Sequence, residues 1–345
     1  MTVTLKDIAA VAGVSHSTVS RALNGNPMIP PETAVRIRKI ADELGYVPNT
    51  IASGLRRTHS KVLGVLVRRI DDAFLAEVLQ GIEDVLYAEG YGLFLATSRR
   101  KPEREQAIFR SMSERRVDGV IVCSTEVSQE HLHQLSKFGV PTVLINNQAA
   151  IEMAHSVTHD DMSGGLALTR HLIELGHSRI AYLGHSRTGR ITRDRLAGYK
   201  EALNQAGLPY RAEYVAAGPN GSAEGGAMGM EKLLKVDVRP TAVVCFNDMM
   251  AIGAMHALRQ AGFGVPEDCS VTGFDNIPLS QYVNPPLTTF HQPRYELGTE
   301  AAEMMLRLLS RKHKNLNAAE TIALRGRLVV RESSGPPPDG TRNGQ

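Results

Sequence analysis

Four side chains near the start of the chain have the types and spacing to read a DNA groove. His16, Ser17, Ser20 and Arg21 fall on one face of a helical period, while Val19, Ala22 and Leu23 fall on the other. Short hydroxyls and an imidazole both donate and accept without holding a helix away from its ligand, and a guanidinium fits the edge of guanine. A second group of polar residues is scattered through the remainder. Asn146 and Asn147, Asn247 and Asp248, and Asp275 and Asn276 each follow directly on a short apolar run. Arg195 sits in Asp194-Arg195-Leu196-Ala197-Gly198, and Gln292 closes His291-Gln292-Pro293. Amides, carboxylates and guanidinium groups suit vicinal hydroxyls, each of which donates and accepts.

Enzyme chemistry finds little support. The chain has no G-x-x-x-x-G-K-[ST] phosphate loop and no G-x-G-x-x-G between a strand and a helix. Gly184-His185-Ser186-Arg187-Thr188-Gly189 misses the nucleophile elbow because its second glycine comes one residue late. His131-x-His133 and His155-x-x-x-His159 fall on expected loops or a helix surface, with no third ligand clustered beside them. Cys123, Cys245 and Cys269 are odd in number and widely spaced, which supports neither a disulfide framework nor a zinc ribbon. They read as small core residues. No catalytic residue, metal or cofactor is expected.

The elements that must position these groups follow from periodicity. Leu5 to Ala12 carries apolar residues at helical spacing, Gly13 stops that helix, and Ser15 caps the next. This is a helix-turn-helix whose second helix presents the polar face. Pro31 to Leu44 is a third helix with a buried stripe of Ala34, Ile37, Ala41 and Leu44, and Tyr46 packs beneath it. Residues 1–61 hold eight Lys/Arg against four Asp/Glu, whereas the whole chain is only +3, so the positive excess lies at the end that would meet phosphate. From Val62 the pattern becomes short apolar strands alternating with helices. Two such series, with strands such as Leu63 to Val67 and Ile180 to Leu183, imply two α/β lobes of parallel sheet. Ligands of such sheets bind at the carboxyl ends of the strands. The closing strand is expected over Thr321 to Val330. Ser333 to Gln345 has no periodicity and is expected to be disordered. No run of about 18 apolar residues could span a membrane, and the first residues lack an apolar signal core, so a cytoplasmic location is expected.

The run T-L-K-D-I-A-A-V-A-G-V-S-x-S-T-V-S-R-A-L-N-G, followed by L-G-Y-V-P-N and A-S-G-L, resembles the lactose/galactose repressor family of bacterial transcription regulators. The resemblance extends from Thr4 to about Glu332. It implies an N-terminal all-α helix-turn-helix head on an α/β two-lobed core like the periplasmic binding proteins. The implied divisions are a head at 1–48, a hinge helix at 49–60, a core at 61–332 and a tail at 333–345. Lobe 1 would take 61–159 and 293–319, and lobe 2 would take 160–291 and 320–332. The implied DNA-binding set is His16, Ser17, Thr18, Ser20, Arg21, Asn24, Tyr46, Asn49, Ala52, Leu55 and Arg56, with Leu55 wedging into the minor groove. The resemblance implies effector contacts for Arg195, Asn247, Asp275 and Gln292; Asn147 joins the expected set as a strand-end amide, Phe74 as a stacking ring and Arg69 as a cation at the cleft mouth, with Asp248 kept for a helix cap or a lobe-to-lobe bond.

The implied partners are a palindromic operator, a sugar-like effector and a second copy of the chain, because the tail cannot form the leucine-heptad helix by which some members become tetramers. Two departures bear on the ligand. Asn220 stands where many members stack an aromatic ring, and Arg68 and Arg69 stand where members usually have an uncharged turn. Together with Arg187 and Arg190 they raise the expectation of an acidic effector, a sugar acid or sugar phosphate. The rival readings are an architectural protein that bends DNA without an effector, and a sugar-processing enzyme on the same core.

Overall fold

The computed structural model describes residues 3–46, 60–99, 101–123, 140–147, 154–186, 189–310 and 319–338. The expected hinge residues Asn49, Ala52, Leu55 and Arg56, the histidine pair His131 and His133, and Arg187 lie outside this set. The chain divides into a head, Met1–Ser60, and a core, Lys61–Gln345.

In the head, α1 (Leu5–Ala12), α2 (His16–Leu23) and α3 (Pro31–Glu43) close over Ile8, Ala12, Val19, Ala22, Ile37 and Ala41. The Thr4 N–H and hydroxyl both donate to Asp7 Oδ2, at 2.8 and 2.7 Å, which fixes the start of α1. Gly13 takes a left-handed φ of 66° and turns the chain in one residue. Ser15 then caps α2, its Oγ accepting from the Thr18 N–H at 3.1 Å. The stripe of α3 departs from expectation at its end. The helix stops at Glu43, Leu44 is exposed, and Ile40 packs on the core instead.

The core holds two six-stranded sheets of matching order. In the first, β1 (Val62–Val67), β2 (Gly92–Thr97), β3 (Gly119–Cys123), β4 (Thr142–Ile145), β5 (His155–His159) and β11 (Thr321–Leu324) run parallel as β11-β5-β4-β3-β1-β2. In the second, β6 (Ile180–His185), β7 (Val215–Gly218), β8 (Ala242–Cys245), β9 (Ser270–Asp275), β10 (Thr288–His291) and β12 (Arg327–Val329) run as β12-β10-β9-β8-β6-β7, with β12 antiparallel. Helices α4 (Ala73–Ala88), α5 (Pro102–Glu114), α6 (Asp161–Glu174), α7 (Arg190–Gln205), α8 (Ala223–Leu233), α9 (Asp248–Gln260) and α10 (Arg294–Ser310) cover the sheet faces. Both faces are covered, which is why the strands read as continuous apolar runs. All three cysteines are buried, and among the described residues no helix is long and apolar enough to cross a membrane.

Three expectations need correction. Strands β5 and β10 were hidden because buried polar residues occupy them. Thr288 and Thr289 are fully buried, and the Thr289 hydroxyl donates to Asp248 Oδ1 at 2.5 Å. The strand expected over Thr321 to Val330 is two strands in two different sheets, so the last lobe crossing lies at Arg325-Gly326 and lobe 1 extends to Leu324. The tail is ordered at its start. The Ser333 Oγ donates to Val271 O at 2.6 Å and accepts from the Thr288 N–H at 2.8 Å, and the Ser334 Oγ lies 2.9 Å from His171 Nε2. These bonds satisfy buried backbone at the start of β9 and β10, a role that an aperiodic sequence does not reveal.

Candidate functional sites

On α2, His16, Ser17 and Arg21 are exposed, and Thr18 and Ser20 are half-buried. The Ser15 Oγ lies 2.8 Å from both Ser17 Oγ and Thr18 Oγ1, so these hydroxyls are pre-set by the cap. The Asn24 amide folds back to Ser20 O at 2.7 Å. Arg36, from the basic face of α3, donates to Ala12 O at 3.1 Å and so serves the end of α1. Tyr46 packs against the small core. Among the described residues, the side chains of His16 and Arg21 make no hydrogen bond or ion pair, which leaves them available to a ligand.

In the core, a cleft of about 870 Å³ opens at the carboxyl ends of the strands of both sheets. Strand ends of both sheets contribute to it: Arg68 after β1, Thr97 and Arg99 at β2, Asn146 after β4, His185 closing β6, Phe246 and Asn247 after β8, Asp275 closing β9, and Gln292 after β10. The volume suits a small molecule of sugar size.

Arg195 lies at the centre of this site because α6 and α7 touch backbone to backbone. A Cβ on Gly165 would lie 2.4 Å from Arg195 O, and one on Gly198 would lie 2.1 Å from Met162 O. Arg195 is buried. Its Nε donates to Asp161 Oδ1 at 2.9 Å, its Nη1 donates to Phe246 O at 2.5 Å, and Nη1 stands 3.6 Å from Asp275 Oδ1. Its guanidinium covers the Phe274 ring at 3.7 Å. Burial opposes the charge of Asp161, but Arg195 and His159 more than offset it and hold the carboxyl below its usual range. Asp275 keeps a φ of 110°, a strained backbone for a side-chain-bearing residue. Its Oδ1 accepts from Gln292 Nε2 at 2.6 Å. Burial pushes its carboxyl up to about 6, against the pull of Arg195 and Arg294.

Of the expected effector residues, the cleft brings together Arg69, Phe74, Arg195, Asn247, Asp275 and Gln292. Asn146 lines it in place of Asn147. The left-handed φ of Asn146, 47°, turns the chain there, while Asn147 offers its carbonyl to Arg190 Nε at 3.2 Å. Asn247 also caps α9, its Oδ1 accepting from the Met250 N–H at 2.9 Å, and its Nδ2 reaches Gly221 O at 3.0 Å. Asp248 is structural but makes neither a cap nor a lobe-to-lobe bond. It accepts from Thr289 and from the Ile277 N–H, at 2.7 Å, within lobe 2, and burial followed by the charge of Asp275 raises it to about 8. Asn220 lines the cleft with its Oδ1 turned to the Ser222 N–H at 2.9 Å.

The rim charge expected from the sequence is largely cancelled. Arg68 pairs with Asp72 at 2.5 Å, and Arg69 pairs with Asp71. Reasoning from sequence missed Arg99 and His185, although both lie at strand ends, where the same rule would have pointed. Arg294 ties the lobes: its Nη2 donates to Glu77 Oε1 of α4 at 2.8 Å and to Asn276 O beyond β9 at 2.7 Å.

Residues 4–49 match the lacI family of bacterial regulatory proteins, and residues 169–334 match the periplasmic binding protein-like domain. The transcriptional repressor PurR of Vibrio vulnificus is 34% identical over 331 residues, which cover 96% of this chain and 98% of that protein. Catabolite control protein A of Priestia megaterium is 34% identical over 335 residues, covering 97% of this chain and 100% of that protein. Among solved structures, the regulator CelR in complex with cellobiose is 30% identical, with a TM-score of 0.74 over 96% of this chain and 100% of its own. The lac repressor dimer bound to operator and the anti-inducer ONPF is 27% identical, with a TM-score of 0.86 over 97% of this chain and 100% of its own.

Proposed function

The chain belongs to the lacI family of bacterial regulatory proteins, and from that premise we propose that it is an effector-controlled transcriptional repressor that binds a palindromic operator as a homodimer in the cytoplasm. The observation that carries this reading is the presence in one chain of a helix-turn-helix that exposes His16, Ser17 and Arg21 and a small-molecule-sized polar cleft. His16, Ser17 and Arg21 read base edges in the major groove, one half-site per subunit. Leu55 wedges between base pairs at the centre, and Arg56 lies along phosphate. The proposed role is regulation rather than catalysis, and the support for it is that the curated relatives are transcriptional regulators.

The effector is a small hydroxylated molecule. Asn146, Asn247, Asp275 and Gln292 exchange hydrogen bonds with its hydroxyls, Phe74 packs on its ring, and Arg195 holds the Asp275 carboxylate in place. Binding biases the angle between the lobes, which changes the spacing of the two heads on DNA. Selection of duplexes from a random pool with the full chain tests this reading. A two-fold symmetric consensus is expected. Uniform recovery with a steep salt slope on every sequence would contradict it and favour an architectural DNA-bending role. Leu55→Ala is expected to weaken operator binding and reduce the bend in a gel-phasing assay, while leaving effector affinity nearly intact.

A further inference from the structure

Of the four arginines that line the cleft, one is not paired with an aspartate beside it. Arg68 is engaged by Asp72, Arg69 by Asp71, and Arg195 by Asp161. Arg99 also lines the cleft, and among the described residues its side chain has neither an ion pair nor a hydrogen bond. The acid that feels its charge, Asp71, already accepts from both Nε and Nη2 of Arg69.

A second observation concerns the backbone. Arg99 follows directly on Ser98 beyond the end of β2, and it takes a left-handed φ of 49°. Its N–H donates to Arg68 O at 3.0 Å, which fixes this turn against the end of β1. Glycine or asparagine would hold such a turn with less strain. A long cation in this conformation, at the carboxyl edge of a parallel sheet, is strain kept where ligands bind. Beside it the cleft offers uncharged donors and acceptors that suit hydroxyls, Asn146 on the same sheet and Asn247 and Gln292 on the other, together with the carboxyl of Asp275.

We infer that the ligand of this cleft is a hydroxylated small molecule bearing one carboxylate or phosphate group, and that Arg99 binds that oxyanion. The inference rests on the reading of the cleft as the effector site and narrows its chemistry. The planar guanidinium fork matches either oxyanion in two-point contact. Arg68 and Arg69 do not take this role, because each would have to release a bonded aspartate first.

The test uses the full chain in thermal melts and isothermal titration at constant ionic strength. The probes are D-glucose, D-galactose and D-ribose, each beside its sugar phosphate and its sugar acid, together with inorganic phosphate. At least one anionic probe is expected to bind more tightly than its neutral partner. Arg99→Gln is expected to cut that preference roughly 10- to 100-fold, the usual loss for a charge-assisted bond. Arg99→Gly should raise the melting temperature by relieving the turn while losing the same preference, which separates binding from folding. Preference for phosphates or for acids identifies the source of the oxyanion. Neutral sugars that bind as tightly as their anionic partners, a preference that survives Arg99→Gln, or no Arg99-dependent stabilisation by any anion would each overturn the inference. Asp275→Asn separates the two readings. Neutral binding that Asp275→Asn abolishes, without an anion preference, removes the oxyanion subsite and keeps the effector cleft. Binding indifferent to both positions removes both.

Discussion

In the head, His16, Ser17 and Arg21 stand in solvent on a helix whose backbone is already capped by Ser15. In the cleft, Arg195, Asp275 and Gln292 are buried and bonded to their neighbours. The two regions solve opposite problems. A base-reading face meets a hydrated groove and must keep its donors free until the correct sequence arrives. A small-ligand site must already hold its polar groups in place, since ordering them on binding would subtract from affinity. Substitutions in the head should therefore cost binding and little else, while substitutions at the buried, bonded groups of the cleft should cost stability as well.

The largest effect is expected from Arg195→Ala. It leaves Asp161 buried without its main partner, and breaking a buried pair typically costs about 3–5 kcal/mol. Urea unfolding of the full chain should show a loss of this size in the core transition. A variant as stable as the parent would mean that the cleft is not locked in the way described.

Asp248→Asn comes next, and its effect should depend on pH. Burial raises the folded carboxyl from its ordinary 3.8 to about 8. A folded pKa above the unfolded one gives stability that is complete below about pH 4 and is lost as pH rises towards 8. Asparagine can still accept from the Ile277 N–H. The variant should gain in melting temperature over the parent as pH rises from 4 to 8, and a constant difference across that range would break the argument.

Arg21→Ala should weaken binding to the selected operator by about 1–3 kcal/mol and relax the base preference at one position in each half-site. The same variant should leave the core melt and ligand affinity untouched. The smallest effect belongs to Glu77→Gln, which weakens the tie between Arg294 and α4. It should alter the influence of ligand on DNA binding by about 0.5–2 kcal/mol while leaving ligand affinity itself nearly constant. Titrations of ligand with and without operator would read that difference.

The same contrast explains what could be read from the amino acids. A helix face is written locally: Gly13, Ser15 and the spacing of Val19, Ala22 and Leu23 place α2 without reference to the rest of the chain. The strand ends gave most of the cleft for a similar reason, since an apolar run followed by Asn247 or Asp275 marks both the strand and its mouth. What escaped depends on distant partners. Strand β10 buries Thr288 and Thr289, whose hydroxyls are matched by Ser334 and Asp248, and β5 buries Ser156, matched by Thr321, all far away in sequence. The cancellation of Arg68 and Arg69 needed the turn geometry that brings Asp72 and Asp71 back to them. The choice of Asn146 over Asn147 needed a single positive φ.

The central claim is that the cleft and the head of this chain are coupled. The direct measurement is the affinity of the full chain for its selected operator, without ligand and with the ligand that most raises its melting temperature at saturation. The account predicts a change of about 5- to 150-fold in the dissociation constant, the range of ordinary allosteric coupling. Equal affinities at saturating ligand would show that the cleft does not control DNA binding and would contradict the account.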